Sequence, residues 1–154
     1  MLIYHGSKEV VEKPQILKTK YNKDFYFGFY CTVIEEQAFR WAVRGNKNGI
    51  VNVYEYTEAP GLNIKHFPGM TEEWLDFIAN CRSGQKHRYD IVEGPMADDQ
   101  IYNFIQNYMD GVISREAFWA LAKFKKPTHQ ISFHTKNALK AIRFVSYREV
   151  SNEG

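Results

Sequence analysis

Long apolar runs, a cysteine framework and a lopsided charge are all missing from this chain of 154 residues. No stretch approaches the roughly 20 apolar residues a membrane-crossing helix needs, so no membrane partner is expected. Two cysteines, Cys31 and Cys81, make neither a disulfide framework nor a metal pair. They are expected as reduced thiols, neither one a nucleophile, and no metal site is expected. The opening residues Met1 to Ser7 lack the basic and apolar regions of a signal peptide, so the expected compartment is the cytoplasm. A formal net charge of +2 is not the basic footprint of a dedicated nucleic-acid binder, although it leaves nucleic acid open as a partner. Repeats, low-complexity tracts and linkers are absent too. One domain over residues 1–150 is expected, with a frayed tail at 151–154.

Aromatic residues are plentiful, at 16% of the chain, and they gather around one stretch. In Asp24-Phe25-Tyr26-Phe27-Gly28-Phe29-Tyr30-Cys31-Thr32 a glycine interrupts a strand pattern, which marks a bend or a close approach to the backbone. Thr32-Val33-Ile34-Glu35 has the form of a capping box and predicts a helix with Ile34, Ala38, Trp41 and Ala42 along one face. Tyr30 and Trp41 then either serve as core aromatics or face each other across a slot suited to a flat ring.

Taken in order, Met1 to Tyr4 reads as a short strand that breaks at Gly6. His5-Gly6-Ser7 at its end offers bare backbone donor and acceptor groups beside a histidine that hydrogen-bonds near neutral pH. Lys8 to Lys23 is lysine-rich and reads as an exposed connector; Lys18 and Lys20 are either phosphate contacts or part of a solvated face. Ile50 to Tyr56 alternates as a half-buried strand, and Leu62 to Phe67 predicts a further short one. Thr71-Glu72-Glu73 opens a helix carrying Trp74, Leu75, Phe77, Ile78 and Cys81, which ends near Gly84. Tyr89 to Glu93 predicts a strand running into a Gly94-Pro95 turn, with Asp98 and Asp99 capping a helix over Gln100 to Met109. Gly111 precedes a helix over Ser114 to Phe124. In His129-Gln130-Ile131-Ser132-Phe133-His134 alternation puts Gln130, Ser132 and His134 on one strand face. A short helix at Asn137 to Leu139 and a strand over Ala141 to Tyr147 close the chain. Strands and helices are interspersed without regular alternation, which predicts an α+β fold.

Together these motifs resemble the histidine–tyrosine–glutamate branch of the ADP-ribosyltransferase superfamily. His5-Gly6-Ser7 matches its first element; Gly28-Phe29-Tyr30 followed by Trp41 matches its second. The whole chain is more closely similar to a bacterial domain family of unknown function, with matches at residues 3–7, 24–42, 89–98 and 130–135. The resemblance implies split, mostly antiparallel sheets with flanking helices. It also implies NAD as substrate, transfer of ADP-ribose to an unknown acceptor macromolecule, and a toxin paired with a small antitoxin-like partner protein. By the same resemblance His5, Gly6, Ser7, Tyr30 and Trp41 bind NAD. Gly6 takes the carboxamide, His5 the adenosine ribose, and Tyr30 with Trp41 the nicotinamide ring. His5, Tyr30 and Gln130 form the catalytic set.

Gln130 stands where the superfamily places a glutamate, and it brings hydrogen bonds without charge. It is read equally as a functional residue and as a plain strand residue, and Glu93, Asp90 and Asp98 stay open as carboxylates. Tyr26 replaces a family glycine. Ala38 replaces a serine that contacts the amide, leaving that contact to Ser7 or water. These departures keep a non-catalytic NAD- or ADP-ribose-binding module, or a slow NAD hydrolase, beside the transferase reading.

Overall fold

A computed structural model describes residues 1–16, 24–45, 47–97 and 99–152. Lys18, Lys20 and Asp98, three of the residues singled out above, lie outside them. The architecture is α+β, with two sheets and five helices among the described residues. One sheet has the order β1 (Leu2–Ser7), β3 (Asn48–Tyr56), β7 (Ile142–Ser151). The other runs β2 (Phe29–Cys31), β6 (Thr128–Phe133), β5 (Ile91–Met96), β4 (Ile64–His66). All pairings are antiparallel except the parallel contact of β4 with β5.

The sheets enclose a core of Ile3, Phe29, Cys31, Tyr54, Ile91, Ile131 and Phe133, drawn from both. Three helices, α2 (Glu72–Arg82), α3 (Asp99–Met109) and α4 (Arg115–Ala122), build a second core on the four-stranded sheet around Trp74, Ile78, Ile101, Ile105 and Phe118. The capping signals for α2 and α4 are realised. Thr71 Oγ1 accepts from Trp74 N at 3.2 Å, and Ser114 Oγ accepts from Ala117 N at 3.0 Å. Helix α1 (Glu35–Val43) lies on the three-stranded sheet with Ala38 and Ala42 against Val51. The short α5 (Lys136–Leu139) precedes β7.

Several boundaries differ from expectation, each for a tertiary reason. β1 does not break at Gly6; it runs on to Ser7, because Gly6 pairs with Val51 and Ser7 with Ile50. Thr32 does not cap α1. Its N–H and C=O are engaged by Tyr4 in an isolated bridge, so the helix starts three residues later and Ile34 is left exposed. β5 passes straight through Gly94-Pro95. This is tolerated because β4 pairs only as far as Glu93, and the Pro95 carbonyl turns away from β6 to accept from Trp74 Nε1 at 3.0 Å. β7 extends to Ser151, which pairs with Asn48, so Ser151 belongs to the sheet and not to a frayed tail, and residues 153 and 154 lie outside the described residues. Helix α4 stops at Ala122, leaving Phe124 84% exposed. The connector is partly bound down: Lys8 Nζ donates to Ala42 O, and Val11 is clamped between Asn52 and Tyr54.

Candidate functional site

β1 and β2 approach at one point and then diverge. Tyr4 and Thr32 exchange both backbone hydrogen bonds, at 2.8 and 2.9 Å. Successive residues of a strand direct their N–H and C=O to opposite edges, and residues two apart to the same edge. Tyr4 directs its pair to Thr32, so Gly6, two residues on, directs its own to that same outer edge. The face of Gly6 is covered by α1: a Cβ there would stand 2.1 Å from Ala38 O and 2.9 Å from Trp41 Cβ. A glycine is required for the helix to lie this close. Its consequence is an open amide edge beside the root of Trp41.

Residues directly opposite in a ladder share a face, and so do residues two apart along a strand. Tyr4, Gly6, Thr32 and Tyr30 therefore lie on one continuous face, joined by Ser132 opposite Tyr30 and by Gln130 opposite Gly94. Gln130 is 4% exposed, and its Nε2 is buried with no hydrogen-bond partner. Thr128 Oγ1, two residues back on the same face, is buried and unpaired as well. Such orphans are rare, because each forfeits the hydrogen bonds it had in water.

His5 points to the reverse side. Its ring lies on Phe29 with centroids 4.2 Å apart, and Nδ1 sits 2.6 Å from Tyr30 O. A carbonyl can only accept, so Nδ1 carries the proton and Nε2 keeps its lone pair. Burial lowers the pKa of His5, which holds the ring neutral. Asn52, fully buried opposite His5, donates to His5 O and Glu9 O and accepts from Val11 N. Asn52 belongs to no motif legible in the sequence. Its signal was a polar residue on the strand face shared with buried Tyr54.

Tyr30 is fastened at its far end. The hydroxyl donates to Tyr26 O at 2.5 Å and accepts from Phe25 N at 3.1 Å, and burial drives its pKa upward. Tyr26 makes this wrap by adopting φ +77°, the conformation that explains a glycine in the related pattern. Gly28 does mark a close approach: a Cβ there would stand 2.8 Å from both His134 Nδ1 and Phe133 O.

The remaining candidates are engaged elsewhere. Ser7 Oγ accepts from Glu9 N, on the side of β1 opposite Gly6. Glu93 pairs with Ile131, so it lies on the reverse face from Gln130. It is held by His129 Nε2 at 2.7 Å and His66 Nδ1 at 3.1 Å, and the bond to His129 lowers its pKa. Asp90 accepts from Thr135 Oγ1 and Asn63 N, closing a loop. Among the described residues no group of three or more His, Cys, Asp or Glu is placed to hold a metal, and none of the helices is long and apolar enough to cross a membrane.

The family described as "Protein of unknown function (DUF3990)" matches residues 1–144. The chain belongs to the DUF3990 family. No curated protein and no solved structure matches it. In this DUF3990 chain the outer edge of Gly6, with Trp41 Cβ beside it, lies next to the Tyr4–Thr32 bridge where the two sheets part, and Gln130 lies on β6 two residues from Ser132, the partner of Tyr30.

Proposed function

We propose that this DUF3990 domain binds NAD at the junction of β1 and β2 and acts as an NAD-dependent mono-ADP-ribosyltransferase. The buried, unpartnered Gln130 amide carries the reading, since it lacks the acceptor that a ribose hydroxyl supplies. The outward N–H and C=O of Gly6 match the carbonyl and NH2 of a carboxamide. Trp41 flanks that edge, and Tyr30 is fixed on the same face. His5 anchors the Tyr30 carbonyl through Nδ1 from the reverse side of β1, and by the superfamily resemblance its Nε2 is the acceptor for a second ribose hydroxyl.

In the reaction the C1′–N bond breaks and nicotinamide leaves with the bonding pair. The ribosyl group passes through an oxocarbenium-like state, and an acceptor nucleophile attacks C1′ and loses its proton to water. A glutamine orients the ribose without supplying the negative charge that stabilises this cation. That one absence favours a second reading, a slow NAD hydrolase or a non-catalytic NAD- or ADP-ribose-binding module. The superfamily resemblance is also what supports a toxin restrained by a small antitoxin-like protein.

Nicotinamide release from NAD by the wild type, His5→Ala and Gln130→Ala, with label transfer followed in parallel, tests the proposal. Turnover by the wild type that both variants lose is the expected result. Binding of NAD without turnover makes this a binding module, and absence of binding refutes both.

A further inference from the structure

A concavity of about 430 Å³ lies beyond Tyr30, where Tyr26, Phe27, His87, Tyr89 and His134 form its walls and Lys86 and Arg88 its rim. Its volume falls in the ~300–1,000 Å³ range of small-ligand clefts. Its walls are flat rings. Tyr26 packs on Phe27 with centroids 4.7 Å apart, His87 meets Tyr89 at 5.6 Å, and His87 and His134 meet edge to face at 4.4 Å.

Both histidines are fixed as neutral rings. His87 Nε2 donates to Phe25 O while Nδ1 accepts from Tyr89 N. His134 Nδ1 donates to Phe27 O and Nε2 faces Ser132 Oγ. Burial lowers the pKa of each. Among the described residues the positive charge of the pocket comes from Lys86 and Arg88, which are exposed and form no ion pair with a described carboxylate. Among the described residues no Asp or Glu lines the cavity. The backbone at Tyr26 is held at φ +77°, a cost that places an aromatic ring in this wall where glycine would relieve it.

We propose that this cavity is a nucleotide subsite. A base lies flat among Tyr26, His87 and Tyr89, and its phosphate is met by Lys86 and Arg88. Stacking on aromatic faces accepts any base, and two cations at the rim supply the phosphate contact. The proposal stands on this cavity alone and is separate from NAD binding at Gly6.

The test follows the ring resonances of His87 and His134 in the intact protein during titration with 5′-mononucleotides, the matching nucleosides, inorganic phosphate and a short polyuridine strand. Shifts of both rings by nucleotides are expected. Affinity should weaken about tenfold in the Lys86→Ala/Arg88→Ala double variant and again in Tyr26→Gly, with Gln130→Ala binding unchanged. Binding of the strand together with free nucleotides supports a mononucleotide-sized site. Binding of the strand alone supports the proposal with single-stranded nucleic acid as the source. The proposal is overturned if no titrant moves these rings, if nucleosides or phosphate alone bind as tightly as nucleotides, or if Gln130→Ala abolishes the shifts.

Discussion

Tyr26, Gln130 and His134 each hold a state that their surroundings impose, and each state has a measurable consequence. Tyr26 occupies left-handed backbone space because its carbonyl must reach the Tyr30 hydroxyl. Glycine adopts that conformation freely and alanine does not. Tyr26→Gly and Tyr26→Ala lose the same ring, so urea denaturation should find the glycine variant more stable, by about 1 kcal/mol. Gln130 offers the complementary test. On the proposed NAD reaction, Gln130→Glu supplies the charge a ribosyl cation lacks here and should raise nicotinamide release about tenfold or more; an unchanged rate would separate Gln130 from that chemistry. His134 is held neutral by burial, with its pKa lowered from 6.5 to about 4. Between those values the unfolded chain takes up a proton that the native chain refuses. Stability is therefore complete above the unfolded value and falls as pH drops through the window, by up to about 3 kcal/mol. His87 and His5, shifted in the same direction, steepen the fall. His134→Gln should flatten the acid side of a stability–pH profile; a slope equal to wild type would contradict this assignment.

The elements are positioned by close backbone approaches more than by propensity. Helix α1 sits on two glycines: a Cβ on Gly6 or Gly49 would stand 2.1 Å from Ala38 O or Ala42 O. Gly6→Ala should therefore displace α1 and destabilise the fold by about 3 kcal/mol, seen as faster amide exchange along Glu35–Val43. Protection left at its wild-type level would show that the helix has slack. Local signals in the sequence predicted α2 and α4 well, because Thr71 and Ser114 cap them from within their own segments. They failed where a distant strand decided the outcome. Thr32 looks like a cap, but Tyr4 claims its backbone; Gly94-Pro95 looks like a turn, but β6 pairs with it across 36 residues.

Across the whole molecule, two sheets share an isolated bridge, and the proposed NAD site lies where they separate. That junction was legible in the sequence only as a set of residue types: a glycine near the N-terminus, a tyrosine after an aromatic run, a glutamine on a late strand. Nothing local showed that Gly6, Tyr30 and Gln130 share a face, since their alignment runs through two pairings, β1 to β2 and β2 to β6. Nor did it show that His5 turns to the reverse side, or that Asn52 holds its carbonyl from beneath. Asn52→Ala should leave the partners of its three bonds unpaired and cost about 2 kcal/mol. It should also loosen His5, visible as a broadened imidazole resonance. The most direct test of the NAD site is an NAD titration of the labelled protein, followed at the Gly6 amide, the Trp41 indole and the Gln130 side-chain NH2. The account predicts saturable shifts at all three, lost in His5→Ala. No shift at the Gly6 amide, or shifts that bypass Gln130, would contradict it.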